Sequence, residues 1–139
     1  MVPLNLPERD YSILIVDDSV SVVRYLEHII NKRVYGNFKI VTAFSGEEAI
    51  QRSLEDSPEL IFLDINLPRM EGFAVCDYFR KEFPSAPIII ITAELSTENK
   101  VAAFKHGATD YIMKPFSSEQ ILERMAVHLR KVVELKYSR

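Results

Sequence analysis

A chain of 139 residues, 47% of them apolar, has room for one well-packed core and too little for two. Its 17 basic and 20 acidic residues leave a formal charge of −3 with no long block of either sign, so nucleic acid is not an expected direct ligand. A lone cysteine, Cys76, excludes an intramolecular disulfide and a multi-cysteine zinc site; the start MVPLNLPERD has no leader-like apolar stretch and no apolar run reaches the roughly 20 residues of a bilayer span, so a cytoplasmic location without membrane contact is expected.

In chain order, residues 1–10 read as a lead-in. The first β-branched apolar run, Ile13–Val16, is followed by an amphipathic stretch over Val20–Val34 and a long turn around Val34–Phe38. A second run, Lys39–Ala43, leads through Ser45-Gly46-Glu47-Glu48, a capping-box pattern, into a helix over Gly46–Leu54. Leu60–Leu63, a helix over Gly72–Phe83, Ile88–Thr92 and a helix over Glu98–His106 follow, with Gly107 placed to end that helix as its αL cap. The last run, Asp110–Met113, precedes a second capping box, Ser117-Ser118-Glu119-Gln120, and a helix from Ser118 onward.

Strands alternating with helices form a parallel sheet through right-handed crossovers, with helices on both faces; the continuous apolar runs predict strands buried on both sides. The class is α/β: a five-stranded parallel sheet in a doubly wound (βα)5 three-layer sandwich. In the last helix Ile121, Leu122, Met125, Leu129, Val132 and Val133 carry an apolar stripe almost to the C-terminus, longer than so small a sheet needs.

In such a sheet the chemistry gathers at the carboxyl ends of the strands. Asp17 and Asp18 directly follow the first strand, Asp64 the third and Lys114-Pro115 the fifth, while Thr92 ends the fourth. Three carboxylates brought that close repel by a few kcal/mol per pair at an effective dielectric near ~20, so the cluster calls for a cation. An all-oxygen donor set without histidine suits Mg²⁺, with Mn²⁺ or Ca²⁺ as substitutes. A carboxylate beside a bound metal, an ammonium and a hydroxyl is an acceptor for a phosphoryl group. Taken singly, the two aspartates could serve only as caps of the first helix, Lys114 as a solvated loop lysine and Thr92 as a strand end. Their joint placement favours the site.

The segments ILIVDDS, LIFLDINLPRMEG, IIIITAE and DYIMKPF resemble the signature of response-regulator receiver domains and span Ile13 to Phe116. The resemblance implies a flavodoxin-like fold over residues 11–128; the extended last helix departs from the family pattern and suggests that 129–139 form a linker or a dimerisation segment. It implies Asp64, four residues before Pro68, as phosphoacceptor, and Mg²⁺ bound directly by Asp18, Asp64 and the Asn66 carbonyl and through water by Asp17. Lys114 would pair with the phosphoryl group. Thr92 and Tyr111 would act as switch residues, against a reading of Tyr111 as hydrophobic filler, and Lys114-Pro115 matches a cis-peptide position. Asn66 and Glu94 would flank the phosphoryl group and influence its hydrolysis. Cys76, His28, His106 and His128 receive no function.

The protein so implied is a signalling receiver rather than an enzyme, catalysing only its own phosphorylation and dephosphorylation. Its expected partners are a sensor histidine kinase or histidine phosphotransfer protein, a downstream output domain or protein, and a second copy of itself. The rival reading, a Mg²⁺-dependent phosphohydrolase with an aspartate nucleophile, wants a second acid two residues after the nucleophile, where this chain has Asn66.

Overall fold

The structure, a computed structural model, describes residues 9–33, 37–67, 72–93 and 96–137. Its elements run β1 (Asp10–Val16), α1 (Val20–Arg33), β2 (Asn37–Ala43), α2 (Gly46–Glu55), β3 (Leu60–Leu63), α3 (Gly72–Glu82), β4 (Ile88–Thr92), α4 (Thr97–Lys105), β5 (Asp110–Met113) and α5 (Ser118–Tyr137). All strand pairs are parallel, in the order β2-β1-β3-β4-β5. The expected (βα)5 sandwich is therefore the observed one.

Alternation along the strands builds the three layers. Ile13 and Ile15 of β1, Leu60 and Phe62 of β3, and Ile89 and Ile91 of β4 enter one cluster with Val23, Leu26, Ile29 and Ile30 of α1 and Ile121, Met125 and Leu129 of α5. Leu14, Val16, Ile61, Leu63, Ile88 and Ile90 point the other way, toward Ala49 of α2, Val75, Cys76 and Phe79 of α3, and Ala103 of α4. Each such side chain taken fully out of water contributes about 1.5–3 kcal/mol, so the three central strands anchor the sheet.

Burial on both faces holds for β3 and β4 but not for the edges. β5 is only half-buried, with Met113 exposed, and in β2 Lys39 is exposed and Ala43 alone of the described side chains is fully buried. An edge strand has a strand neighbour on one side only. β1 and β2 also begin earlier than Ile13 and Lys39, because Asp10↔Asn37, Tyr11↔Phe38 and Ser12↔Lys39 extend the parallel ladder into sequence where polar residues interrupt the apolar run.

The caps follow the sequence closely. Ser117 Oγ accepts from the Gln120 amide at 3.2 Å while Gln120 Oε1 accepts from the Ser117 amide at 2.9 Å, a complete capping box. Ser45 Oγ accepts from the Glu48 amide, but the Glu48 carboxylate reaches one residue further back, to the Phe44 amide. Gly107 has φ +104°, and the amides of Gly107 and Ala108 donate to the carbonyls of Phe104 and Ala103, a full Schellman closure of α4. The α5 stripe is buried on the chain's own core as far as Val132. No described helix is long and apolar enough to cross a membrane.

Candidate functional site

The chain winds from β1 outward to β2 and then crosses back to β3, so the direction of winding reverses between β1 and β3 and opens a crevice at their carboxyl ends. Asp17 and Asp64 leave the two strands side by side: the Asp17 amide donates to the Ala43 carbonyl at 3.1 Å and the Asp64 amide to the Val16 carbonyl at 2.9 Å. These continuations of the ladder hold both backbones rigid as the side chains enter the crevice. Asp17 is 2% exposed and Asp64 5%, whereas Asp18 faces solvent.

Asp17 has two tasks. Its Oδ1 accepts from the Ser19 amide at 2.9 Å, and Ser19 Oγ, the cap proper of α1, accepts from the Val22 amide at 3.4 Å. Its Oδ2 lies 2.8 Å from Lys114 Nζ. Lys114 in turn lies 2.9 Å from Asp64 Oδ2, and the Asn66 amide donates to Asp64 Oδ1 at 2.9 Å. One ammonium thus bridges two buried carboxylates.

Lys114 directly follows β5; its amide donates to the Thr92 carbonyl at 2.9 Å, and the Lys114–Pro115 bond is cis. Thr92 is fully buried at the end of β4. Tyr111, half-buried on β5, packs against the α2–α4 side of the core, with Lys100 Nζ 5.9 Å from its ring centroid. Both have polar or electrostatic partners.

Electrostatically the site is short of positive charge. One carboxylate oxygen from each of Asp17, Asp18 and Asp64 can be chosen so that all lie within 4.8 Å of one another. At an effective dielectric of ~20 the buried Asp17–Asp64 pair costs roughly 3–4 kcal/mol, and one ammonium offsets only part of it. Burial pushes the Asp17 carboxyl up from its ordinary range; the bonds from Lys114 and the Ser19 amide pull it down, and the Asp64 charge pushes it up again, with a net rise. Burial pulls Lys114 down, yet its bonds to Asp17 and Asp64 prevail and hold it above its ordinary range. The close carboxylates with their hard oxygen donors fit a divalent cation, Mg²⁺ among them.

Of the residues that the sequence marks for the site, the structure thus brings Asp17, Asp18, Asp64 and Lys114 into one cluster. Asn66 and Thr92 are hydrogen-bonded to its members through their backbones, and Tyr111 lies on β5. Pro68 and Glu94 lie outside the described residues. A second polar cluster was not singled out from the sequence: Asp110 accepts from Arg124 at 2.6 Å and the Tyr111 amide at 2.8 Å, and pairs with buried His128 at 2.8 Å. The i, i+4 spacing of Arg124 and His128 on α5 was its only sequence signal.

A profile of the response regulator receiver domain matches residues 13–126. The response regulator ArlR of Staphylococcus aureus is 39% identical over 119 residues, covering 86% of this chain and 52% of that protein, so the chain spans about half the length of the curated relatives it matches. Among solved structures, a CheY-like response regulator receiver domain protein from Methanospirillum hungatei superposes with a TM-score of 0.84 at 28% identity, covering 91% of this chain and 98% of that one. A putative response regulator structure from Chloroflexus aurantiacus gives 0.80 at 31% identity, covering 88% and 99%.

Proposed function

This chain belongs to the response regulator receiver domain family, and from that premise we propose that Asp64 accepts a phosphoryl group from a phosphohistidine and that the resulting acyl phosphate switches the output surface. The observation that carries the proposal is the pair of buried carboxylates, Asp17 and Asp64, bridged by the single ammonium of Lys114 at 2.8 and 2.9 Å.

In the transfer a carboxylate oxygen of Asp64 attacks phosphorus, the phosphorus–nitrogen bond of the donor breaks, and the imidazole leaves with the bonding pair and takes up a proton. Lys114 Nζ, already on Asp64 Oδ2, neutralises a phosphoryl oxygen, and the Asn66 amide holds the other carboxylate oxygen in place. Thr92, buried at the adjoining strand end, offers its hydroxyl to the phosphoryl group. Asp18, Asp64 and the Asn66 carbonyl would hold Mg²⁺ directly and Asp17 through water; when bound, the ion supplies further positive charge to the phosphoryl oxygens.

Movement of Thr92 toward the phosphoryl group and of Tyr111 after it would bias a two-state equilibrium in α4, β5 and α5. Those elements expose Val101, Phe104, Met113 and Val127, apolar side chains suited to a downstream domain, a target protein or a second copy of the chain. Residues 129–139 would serve as a linker or pairing segment beyond a receiver of residues 11–128. No observation favours the phosphohydrolase: the position two after Asp64 is Asn66, and a cavity of about 660 Å³ opens at the opposite edge of the sheet, beside Asp56 and Phe83.

Incubation with Mg²⁺ and acetyl phosphate should add one phosphoryl group to the intact mass of the wild type and none to Asp64→Asn. An equal gain in both, or repeated turnover of the phosphate ester, would overturn the proposal.

A further inference from the structure

The first residue of α3 packs against the backbone that follows the acceptor aspartate. The Gly72 amide donates to the Ile65 carbonyl at 3.1 Å, and both residues are buried. A Cβ built on Gly72 would fall 2.6 Å from the Ile65 carbonyl carbon and closer still to its Cα and oxygen. Those are main-chain atoms in a segment bounded on one side by β3 and on the other by Asn66, whose amide is tied to Asp64 Oδ1. Contact with a flexible side chain could be relieved by a rotamer change; here the backbone of residues 65 and 66 must move.

We propose that Gly72 is a positioning residue of the acidic site: its bare Cα lets α3 close onto Ile65, and that closure fixes where the Asp64 carboxylate and the Asn66 carbonyl stand. The proposal rests on the reading of Asp64 and Asn66 as metal-holding groups and goes beyond it by assigning the geometry of the turn to a residue that touches neither metal nor phosphoryl group. The clamp acts through one hydrogen bond and one close backbone approach, both between Gly72 and Ile65.

The test compares two glycine substitutions. Gly107→Ala is strained as well, because Gly107 has φ +104° and an added Cβ would meet Arg80 Cγ at 2.7 Å, but it lies before β5 at the opposite edge of the sheet. Mg²⁺ binding to each protein is followed by calorimetry or amide chemical shifts, with thermal melting recorded in parallel. Gly72→Ala should weaken Mg²⁺ about 10- to 100-fold, the range found when groups supporting metal ligands are lost, while Gly107→Ala lowers the melting temperature and leaves Mg²⁺ affinity at the wild-type value. Equal Mg²⁺ affinity in Gly72→Ala and wild type, a parallel loss in both variants, or failure of Gly72→Ala to fold would overturn the assignment. Failure of the wild type to bind Mg²⁺ would instead overturn the reading of the acidic site itself.

Discussion

The two ends of the parallel sheet treat their acidic residues in opposite ways. At the amino-terminal edge Glu59 has Arg9 and the Ser12 amide, Asp56 has Lys39 and Ser12 Oγ, and Asp110 has Arg124, His128 and the Tyr111 amide. At the carboxyl-terminal edge Asp17, Asp18 and Asp64 crowd together, and among the described residues Lys114 is the cation paired with Asp17 and Asp64. Titration separates the two ends in the same way. Asp56 is held below its ordinary range chiefly by the Lys39 bond, and Asp110, despite burial, by His128 and Arg124, whereas Asp17 is pushed upward. Acids of the first kind are matched by cationic partners; acids of the second kind are left in mutual repulsion that a bound cation would relieve.

The sharpest way to break this comparison is to remove a carboxylate from each edge. Asp18→Asn, exposed and outside the Lys114 bridge, should weaken Mg²⁺ by at least about 10-fold, as expected for loss of a charged ligand, with little change in the melting temperature of the metal-free protein. A titration showing unchanged Mg²⁺ affinity would remove Asp18 from the site.

Asp110→Asn should do the reverse, costing about 1–3 kcal/mol through the loss of charge-assisted hydrogen bonds and leaving Mg²⁺ affinity intact. Denaturant unfolding measures the loss, and an unaltered midpoint would contradict the structural role given to that cluster.

A smaller effect of opposite sign is expected at the crowded edge. Asp17→Asn should stabilise the metal-free protein by about 1 kcal/mol at neutral pH by relieving part of the repulsion with Asp64. A lower melting temperature in the absence of Mg²⁺ would show that the Lys114 bridge outweighs the repulsion.

The smallest expected effect is a change of slope with pH. Asp110 is held below its ordinary value of 3.8, so its contribution is fully present above that pH and is lost as pH falls below it; Asp110→Asn should flatten the stability curve there. Parallel curves for wild type and variant across that window would contradict the assignment.

How much of the molecule is legible in the sequence depends on how local the cause is. The helix starts at Ser45 and Ser117 and the stop at Gly107 rest on bonds between residues three to five apart, and the sequence carries them openly. The crevice is legible too, because strand ends in an alternating α/β chain fall on one edge, which places Asp17, Asp64, Thr92 and Lys114 together once the strands are recognised. The ladder from Asp10 to Ser12, the pairing of Arg9 with Glu59 and of Lys39 with Asp56, and the approach of Gly72 to Ile65 depend on strand register and on the seating of a helix. Apolar periodicity says nothing about those contacts, since the residues involved are polar, small or distant in the chain. Asp110 and His128 escape for the same reason: a histidine within a helical stripe reads as packing until the carboxylate opposite it is known.

The most direct test of phosphoryl transfer to Asp64 is to locate the modified residue. After phosphorylation with acetyl phosphate and Mg²⁺, hydride reduction converts an aspartyl phosphate to homoserine, and peptide mass spectrometry then reads its position. Homoserine at position 64 alone is the expected result; homoserine at position 17 or 18, or unmodified Asp64 in a protein that has gained a phosphoryl group, would contradict it.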